Sequence, residues 1–232
     1  KQILVMRAFM FSWNGGVDAL QFDSDIYFLQ RWKKRYTKDE RIKKYNHHYV
    51  NNYGKRGLCI IDKKNKLDID VGRFTHRNEH LTDECQGQYW QTLKLGKYKI
   101  INASICYPDP DRFKGKVQRV NIDSRTVPWE MFHDQGKELL SMIDDNTLIV
   151  TDLHFPDDEL EQETEFYTSG LIKNHLKDSN AFTNYNNVDK SLDKLLTTQN
   201  SNISISNINV IKCKKEQSDF GHWPIQFEIQ FA

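Results

Sequence analysis

Apolar positions come in short runs broken by Gly, Asn and Asp, and most of these runs predict strands. Residues 3–11 read as a buried strand that ends at Ser12-Trp13-Asn14-Gly15-Gly16, where the Gly pair releases the chain into a turn. Residues 25–30, 57–61, 88–94 and 98–106 predict further strands, the last two joined by a Leu95-Gly96-Lys97 turn. Residues 147–151, 191–197, 210–214 and the alternating 226–231 complete the set, and the polar tract 200–209 reads as a loop or an edge strand. Only residues 127–143 show a clear helical period, with Trp129, Phe132, Leu139, Leu140 and Ile143 on one face. Many strands around few helices predict an α/β sandwich, with residues 1–232 forming one domain.

Composition changes this picture little. A chain of 232 residues can bury one large core, and its net charge of +1 argues neither for nor against nucleic acid. The distribution of charge is more informative. A basic run holds Arg31, Lys33, Lys34, Arg35, Arg41, Lys43, Lys44, Lys55 and Arg56, whereas residues 138–171 contain no Lys or Arg. A basic and an acidic face can orient a phosphate ligand or a partner protein, although solvated faces would look the same. Cys59, Cys85, Cys106 and Cys213 form no CxxC pair, so zinc is not expected and reduced intracellular thiols are the default. No stretch has the apolar length of a membrane span. What precedes Lys1, a presequence or an upstream domain, is left open.

The candidate chemistry sits at strand ends. Asp219 and His222 precede Pro224 and the last strand, a combination that predicts a hydrolytic site at a sheet edge. Upstream, Ser12-Trp13-Asn14 closes the first strand, and Leu29-Gln30-Arg31 closes the second. Residues 102–108 end in Tyr107-Pro108, followed by Thr151-Asp152-Leu153-His154 and Ser191-Leu192-Asp193-Lys194-Leu195-Leu196. In this order, over nearly the whole chain, the motifs resemble those of the endonuclease/exonuclease/phosphatase superfamily. The resemblance implies a DNase I-like fold, a four-layer sandwich of two mainly antiparallel sheets flanked by helices.

The resemblance also implies roles. In the family one or two Mg²⁺ ions neutralise phosphate oxygens, a carboxylate orients water, and a His–Asp pair supports the scissile phosphate. Carried across by motif, Asp152 would position the water and His222 would donate to the phosphate, held in its tautomer by Asp193. Asn14 and Asp219 would join the metal shell, Tyr107 would contact a phosphate oxygen or the leaving group, and His154 and Arg31 would meet phosphate or substrate.

The departures weigh as much as the matches. The family's metal-binding Glu falls at Arg31, which puts a permanent cation where Mg²⁺ needs an anionic oxygen. His154 replaces the Asn of Gly-Asp-Phe-Asn, Gln86-Gly87-Gln88 replaces Glu-Gly-Arg, and Phe220-Gly221 lengthens the closing Ser-Asp-His-x-Pro. The helix between the first two motifs has shrunk to about residues 17–22. These departures predict a degenerate site, without a cofactor, in a domain used as a binding or structural module whose partner is nucleic acid or a larger protein assembly. The alternative is an active Mg²⁺-dependent phosphodiesterase or endonuclease on nucleic acid or another phosphoester. Asn14, Tyr107, Asp152, Asp193 and His222 are expected at one rim, with a His222–Asp193 hydrogen bond and a bidentate pairing of Arg31 with a carboxylate beside Asp152.

Overall fold

The computed structural model describes residues 4–12, 17–53, 56–64, 66–75, 87–105, 126–153, 171–181, 183, 193–212 and 222–232. Two six-stranded sheets dominate them. The first contains β1 (Leu4–Ser12), β2 (Ile26–Lys33), β3 (Asn46–Tyr53), β4 (Arg56–Asp62), β11 (Ile203–Val210) and β12 (Ile225–Phe231), in the spatial order β11-β12-β1-β2-β4-β3. The second contains β5 (Ile69–Arg73), β6 (Tyr89–Leu95), β7 (Tyr98–Ser104), β8 (Thr147–Asp152), β9 (Ile172–Asn174) and β10 (Asp193–Thr198), in the order β5-β6-β7-β8-β10-β9. The β1–β2 and β7–β8 pairs are parallel, and the others are antiparallel. Helices among the described residues are few: α1 (Glu40–Lys43), α2 (Thr126–Ser141), α3 (His175–Asp178) and 3-10 helices at Val17–Gln21 and Lys34–Lys38. None is long and apolar enough to cross a membrane.

Strand alternation builds the layers. Ala8, Met10, Phe28, Ile60 and Phe227 of the first sheet pack against Leu93, Ile100, Leu148, Val150 and Leu195 of the second in one buried cluster. The opposite side chains of the first sheet, Phe9, Phe11, Tyr27, Leu29 and Cys59, are covered by Ala19 and Ile42. Ile101, Ala103, Ile149 and Leu196 of the second sheet are covered by Leu139 and Leu140 of α2. Both faces of β1 are therefore dry from Ala8 onward, which is why its sequence is a continuous apolar run there. In β12 only one face is buried, and Ile225, Phe227, Ile229 and Phe231 alternate with half-exposed polar residues.

One irregularity positions the site. From Ile26 to Leu29, β2 keeps a single register against β4, but Trp32 then pairs with Gly57, so β2 holds one extra residue. Arg31 is in the left-handed region, with φ 55°. Gln30 faces the space between the sheets, Arg31 turns to the same side, and Trp32 joins the aromatic cluster on the outer face. Left-handed backbone at a non-glycine residue costs about 1–2 kcal/mol. Burying Trp32 contributes about 4–6 kcal/mol, taking roughly 150–250 Å² at about 25 cal/mol/Å², against about 1–3 kcal/mol for its buried indole N–H without a partner, so the net gain is of the same order as the cost of the bulge or larger.

A ladder of buried amides links the sheets behind this bulge. Gln30 Nε2 donates to Asn102 Oδ1 at 2.7 Å, Asn102 Nδ2 to Gln91 Oε1 at 2.9 Å, and Gln91 Nε2 to the His48 carbonyl at 2.9 Å. The His48 carbonyl can only accept, so it fixes the direction of every amide before it and leaves Gln30 Oε1 pointing at Ser12.

Three strands depart from the sequence expectation. β3 is polar along Asn46–Tyr53 because it is an edge strand, and β5 and β9 are edge strands too short to show a period. The 200–209 tract contains most of edge strand β11, whereas the apolar pattern predicts a strand at 210–214; β11 ends at Val210, and Ile211 and Lys212 follow it outside any strand.

Replacing Asn102 with Ala should leave the Gln30 amide and the Gln91 carbonyl buried without partners. At about 1–3 kcal/mol for each, urea unfolding should show a loss of about 2–6 kcal/mol with little change in slope. A loss below about 1 kcal/mol would mean that the ladder is not a structural link.

Candidate functional site

The site is built where β1 and β2 of one sheet and β8 and β10 of the other end at the same rim. Asp152 closes β8 and Asp193 opens β10, and the two are direct partners in the antiparallel register. Both side chains are buried. Directly opposed like charges repel, so this pairing needs compensation. His222, just before β12, supplies part of it: its Nδ1 lies 2.9 Å from Asp193 Oδ2. Arg31 supplies another part, with Nη2 3.6 Å from Asp152 Oδ2. This ion pair is longer than the hydrogen-bonded fork expected from the sequence.

Two hydroxyls tie the carboxylates down. Ser12 Oγ lies 3.2 Å from Asp152 Oδ2, 3.3 Å from Asp193 Oδ1 and 3.2 Å from Gln30 Oε1. It has one proton for three oxygens, so it bridges the carboxylates without neutralising them. Thr183 Oγ1 donates to Asp193 Oδ2 at 2.6 Å, while its carbonyl accepts from the Trp223 amide. Thr183 thus holds the carboxylate and the His222 segment together. Nearby, Asn52 Oδ1 accepts from the Gln88 and Tyr89 amides, and Gln135 Nε2 donates to the Gly87 carbonyl. A Cβ on Gly87 would meet the Ser104 carbonyl oxygen at 2.6 Å, so this rim segment needs a glycine.

Burial lowers the proton affinity of His222, but the carboxylates of Asp193 and Asp152 and the Asp193 hydrogen bond outweigh it, with Arg31 opposing them. The net shift is upward from the ordinary imidazole value. Among the described residues the cluster therefore pairs two carboxylates with a guanidinium and an imidazole disposed to hold its proton. Ligand atoms of Asp152, Asp193 and His222 all lie within 4.8 Å of one another, a spacing that could also hold a metal ion.

Of the residues singled out in the sequence, Asp152, Asp193, His222 and Arg31 come together here. Asn14, Tyr107, His154 and Asp219 lie outside the described residues. Sequence reasoning assigned no role to Ser12, Gln30 or Thr183. The first two sat inside quoted motifs, and Thr183 carried no local signal.

A raised folded-state pKa makes the His222–Asp193 pair stabilising at low pH and weaker at high pH. The contribution is fully present below the unfolded imidazole value of about 6.5 and is lost as pH rises through the folded value. The stability difference between the unmodified chain and His222→Gln, from urea unfolding across pH, should therefore be largest on the acid side and shrink above neutrality. A difference that grows with pH would show that the imidazole is held neutral.

No protein-family model matches the sequence, and a comparison with curated proteins finds no match. Solved structures do match. An endonuclease/exonuclease/phosphatase from Bacteroides vulgatus superposes with a TM-score of 0.63 at 12% identity, covering 99% of this chain and 100% of its own. A humanized D. rerio TDP2 gives 0.63 at 10% identity, covering 97% of this chain and 98% of its own. The human Nocturnin catalytic domain gives 0.60 at 12% identity, covering 100% of this chain and 97% of its own. With two facing six-stranded sheets, few helices and a carboxylate–histidine cluster at one rim, the chain has the endonuclease/exonuclease/phosphatase, DNase I-like fold.

Proposed function

We propose that residues 1–232 form one divergent endonuclease/exonuclease/phosphatase domain whose hydrolytic site has become a metal-free, salt-linked cluster, and that the domain acts as a binding module. The observation that carries this reading is Arg31, buried on a left-handed bulge with Nη2 3.6 Å from Asp152 Oδ2. A divalent ion bound by Asp152 would sit beside a permanent cation of the same sign. At an effective dielectric of about 20, each pair of unit charges about 4 Å apart contributes on the order of 4 kcal/mol, here as repulsion. Mg²⁺ also demands a near-octahedral oxygen shell, whereas His222 offers nitrogen and is already bonded to Asp193. The described residues therefore do not fit the ion.

The alternative is a Mg²⁺-dependent phosphodiesterase or endonuclease. It draws support from the three potential ligands within 4.8 Å of one another. It would require Arg31 to leave the cluster, freeing Asp152 to take a metal or orient water.

Nuclease and phosphatase assays in millimolar Mg²⁺ should give no turnover above background, and calorimetry should detect no Mg²⁺ binding. Arg31→Glu should create measurable divalent-ion binding if Asp152 and Asp193 keep their positions. Mg²⁺-dependent turnover by the unmodified chain, abolished by Asp152→Ala, would overturn the metal-free reading and establish the enzyme.

A further inference from the structure

The basic run that follows Arg31 is not used by the rim cluster. From Lys34 to Lys44 the chain leaves β2 as a 3-10 helix, passes through α1 and returns at Tyr45 to start β3. Trp32, Ile42, Tyr36 and Tyr45 anchor this excursion on the outer face of the first sheet. Its acids are occupied locally: Asp39 holds Arg41, and Glu40 holds Lys43. Lys34, Arg35, Lys38 and Lys44 have no acidic partner among the described residues, and all four are exposed. A second basic segment meets the far end of the excursion, where Lys63 Nζ lies 5.9 Å from the Tyr45 ring centre; Lys63 and Lys64 are paired with Asp23 and Asp25, and exposed Lys66 follows them.

The register gives this surface a length. The end of β4 at Arg56 pairs with Lys33 near the rim, and the end at Asp62 pairs with Asn46 and Ile26. The seven residues Arg56–Asp62 span about 20 Å at about 3.4 Å per residue. The cations therefore form a strip along the sheet rather than a point cluster.

We propose that this strip is a docking track for the phosphodiester backbone of nucleic acid, independent of base sequence. A protein partner is the weaker fit, because interfaces rely on exposed apolar or aromatic anchors. Among the described residues, the exposed large hydrophobics Leu4, Val5, Val71 and Leu171 all lie outside these segments. The aromatics that are present already carry cations, with Arg35 5.3 Å from the Tyr36 ring centre and Lys44 5.1 Å from that of Tyr45. Such a surface offers charge at intervals and little else, which is what a regularly charged backbone requires. The inference rests on the binding-module reading for its purpose, but the two fail separately. Turnover in Mg²⁺ would overturn the metal-free site and leave the track standing, while loss of DNA binding would remove the track and leave the site standing.

The test is fluorescence anisotropy with labelled mixed-sequence DNA of about 20 nucleotides, single-stranded and duplex, across a salt series. The unmodified chain should bind at least one form, with affinity falling linearly in log–log salt. The variant K34E/R35E/K38E should bind at least about tenfold more weakly at about 0.1 M salt. For duplex DNA the salt slope should drop by about 2.7, at about 0.9 for each phosphate that the variant no longer neutralises. The neutral variant K34Q/R35Q/K38Q should fall between the two, and circular dichroism should show both variants folded. The better-bound DNA form identifies whether the track takes a single strand or a duplex. Unchanged binding in the charge-reversal variant, or no binding by the unmodified chain at low salt, would overturn the proposal. Poly-glutamate competing as well as DNA at equal charge would also overturn it, by making the partner an acidic protein.

Discussion

Two buried carboxylates, Asp152 and Asp193, face each other across neighbouring antiparallel strands, and this repulsion organises the rim. Their ligand atoms lie within 4.8 Å of one another. At an effective dielectric of about 20, that spacing corresponds to about 3–4 kcal/mol of like-charge repulsion. Burying them also removes the hydration that would otherwise offset it. The surrounding residues read as compensation: Arg31 toward one carboxylate, His222 toward the other, Ser12 bridging them and Thr183 bonding to Asp193. A hydrolase of this fold would meet the same electrostatic demand with a metal ion. Here Arg31, a side chain from the facing sheet, reaches to 3.6 Å from Asp152.

The compensation also explains the upward shift at His222. A fully buried imidazole should favour its neutral form, because burial penalises charge. Two carboxylates within reach reverse that preference. His175 provides the contrast within the same fold. It is buried beside Lys173 and hydrogen-bonded to Thr197 rather than to a carboxylate, and desolvation brings its pKa down to about 4. The difference lies in what each ring faces.

The order of strand-end motifs made the fold legible, because side chains at strand ends are placed by backbone direction alone. The His222–Asp193 pair was legible for the same reason; the approach of Arg31 to Asp152 followed from motif order, but strand alternation alone would not have produced it. What stayed hidden depends on tertiary register. Ser12 meets residues 140 and 181 positions away, and the Gln30–Asn102–Gln91 ladder reads locally as polar positions within otherwise apolar strands. β3 was missed because an edge strand can satisfy one side with solvent and so carries no apolar alternation. The bulge was invisible because the left-handed conformation of Arg31 is imposed by its neighbours, with no glycine to announce it.

That bulge links the two unusual features of the chain. Without the extra residue, strand alternation would send Arg31 to the outer face and Trp32 into the space between the sheets. With it, Arg31 reaches Asp152 and Trp32 reaches the outer aromatic cluster. Trp32 then packs edge-on against Tyr36, with ring centres 5.1 Å apart, and holds the 3-10 helix that displays Lys34, Arg35 and Lys38. One insertion thus brings a guanidinium beside Asp152 and fixes the base of a basic strip on the other side of the same sheet. Removing the bulge should therefore disturb both, whereas neutralising the strip should leave Arg31 and Asp152 where they are. The strip and the rim thus share one backbone determinant without either charge acting on the other.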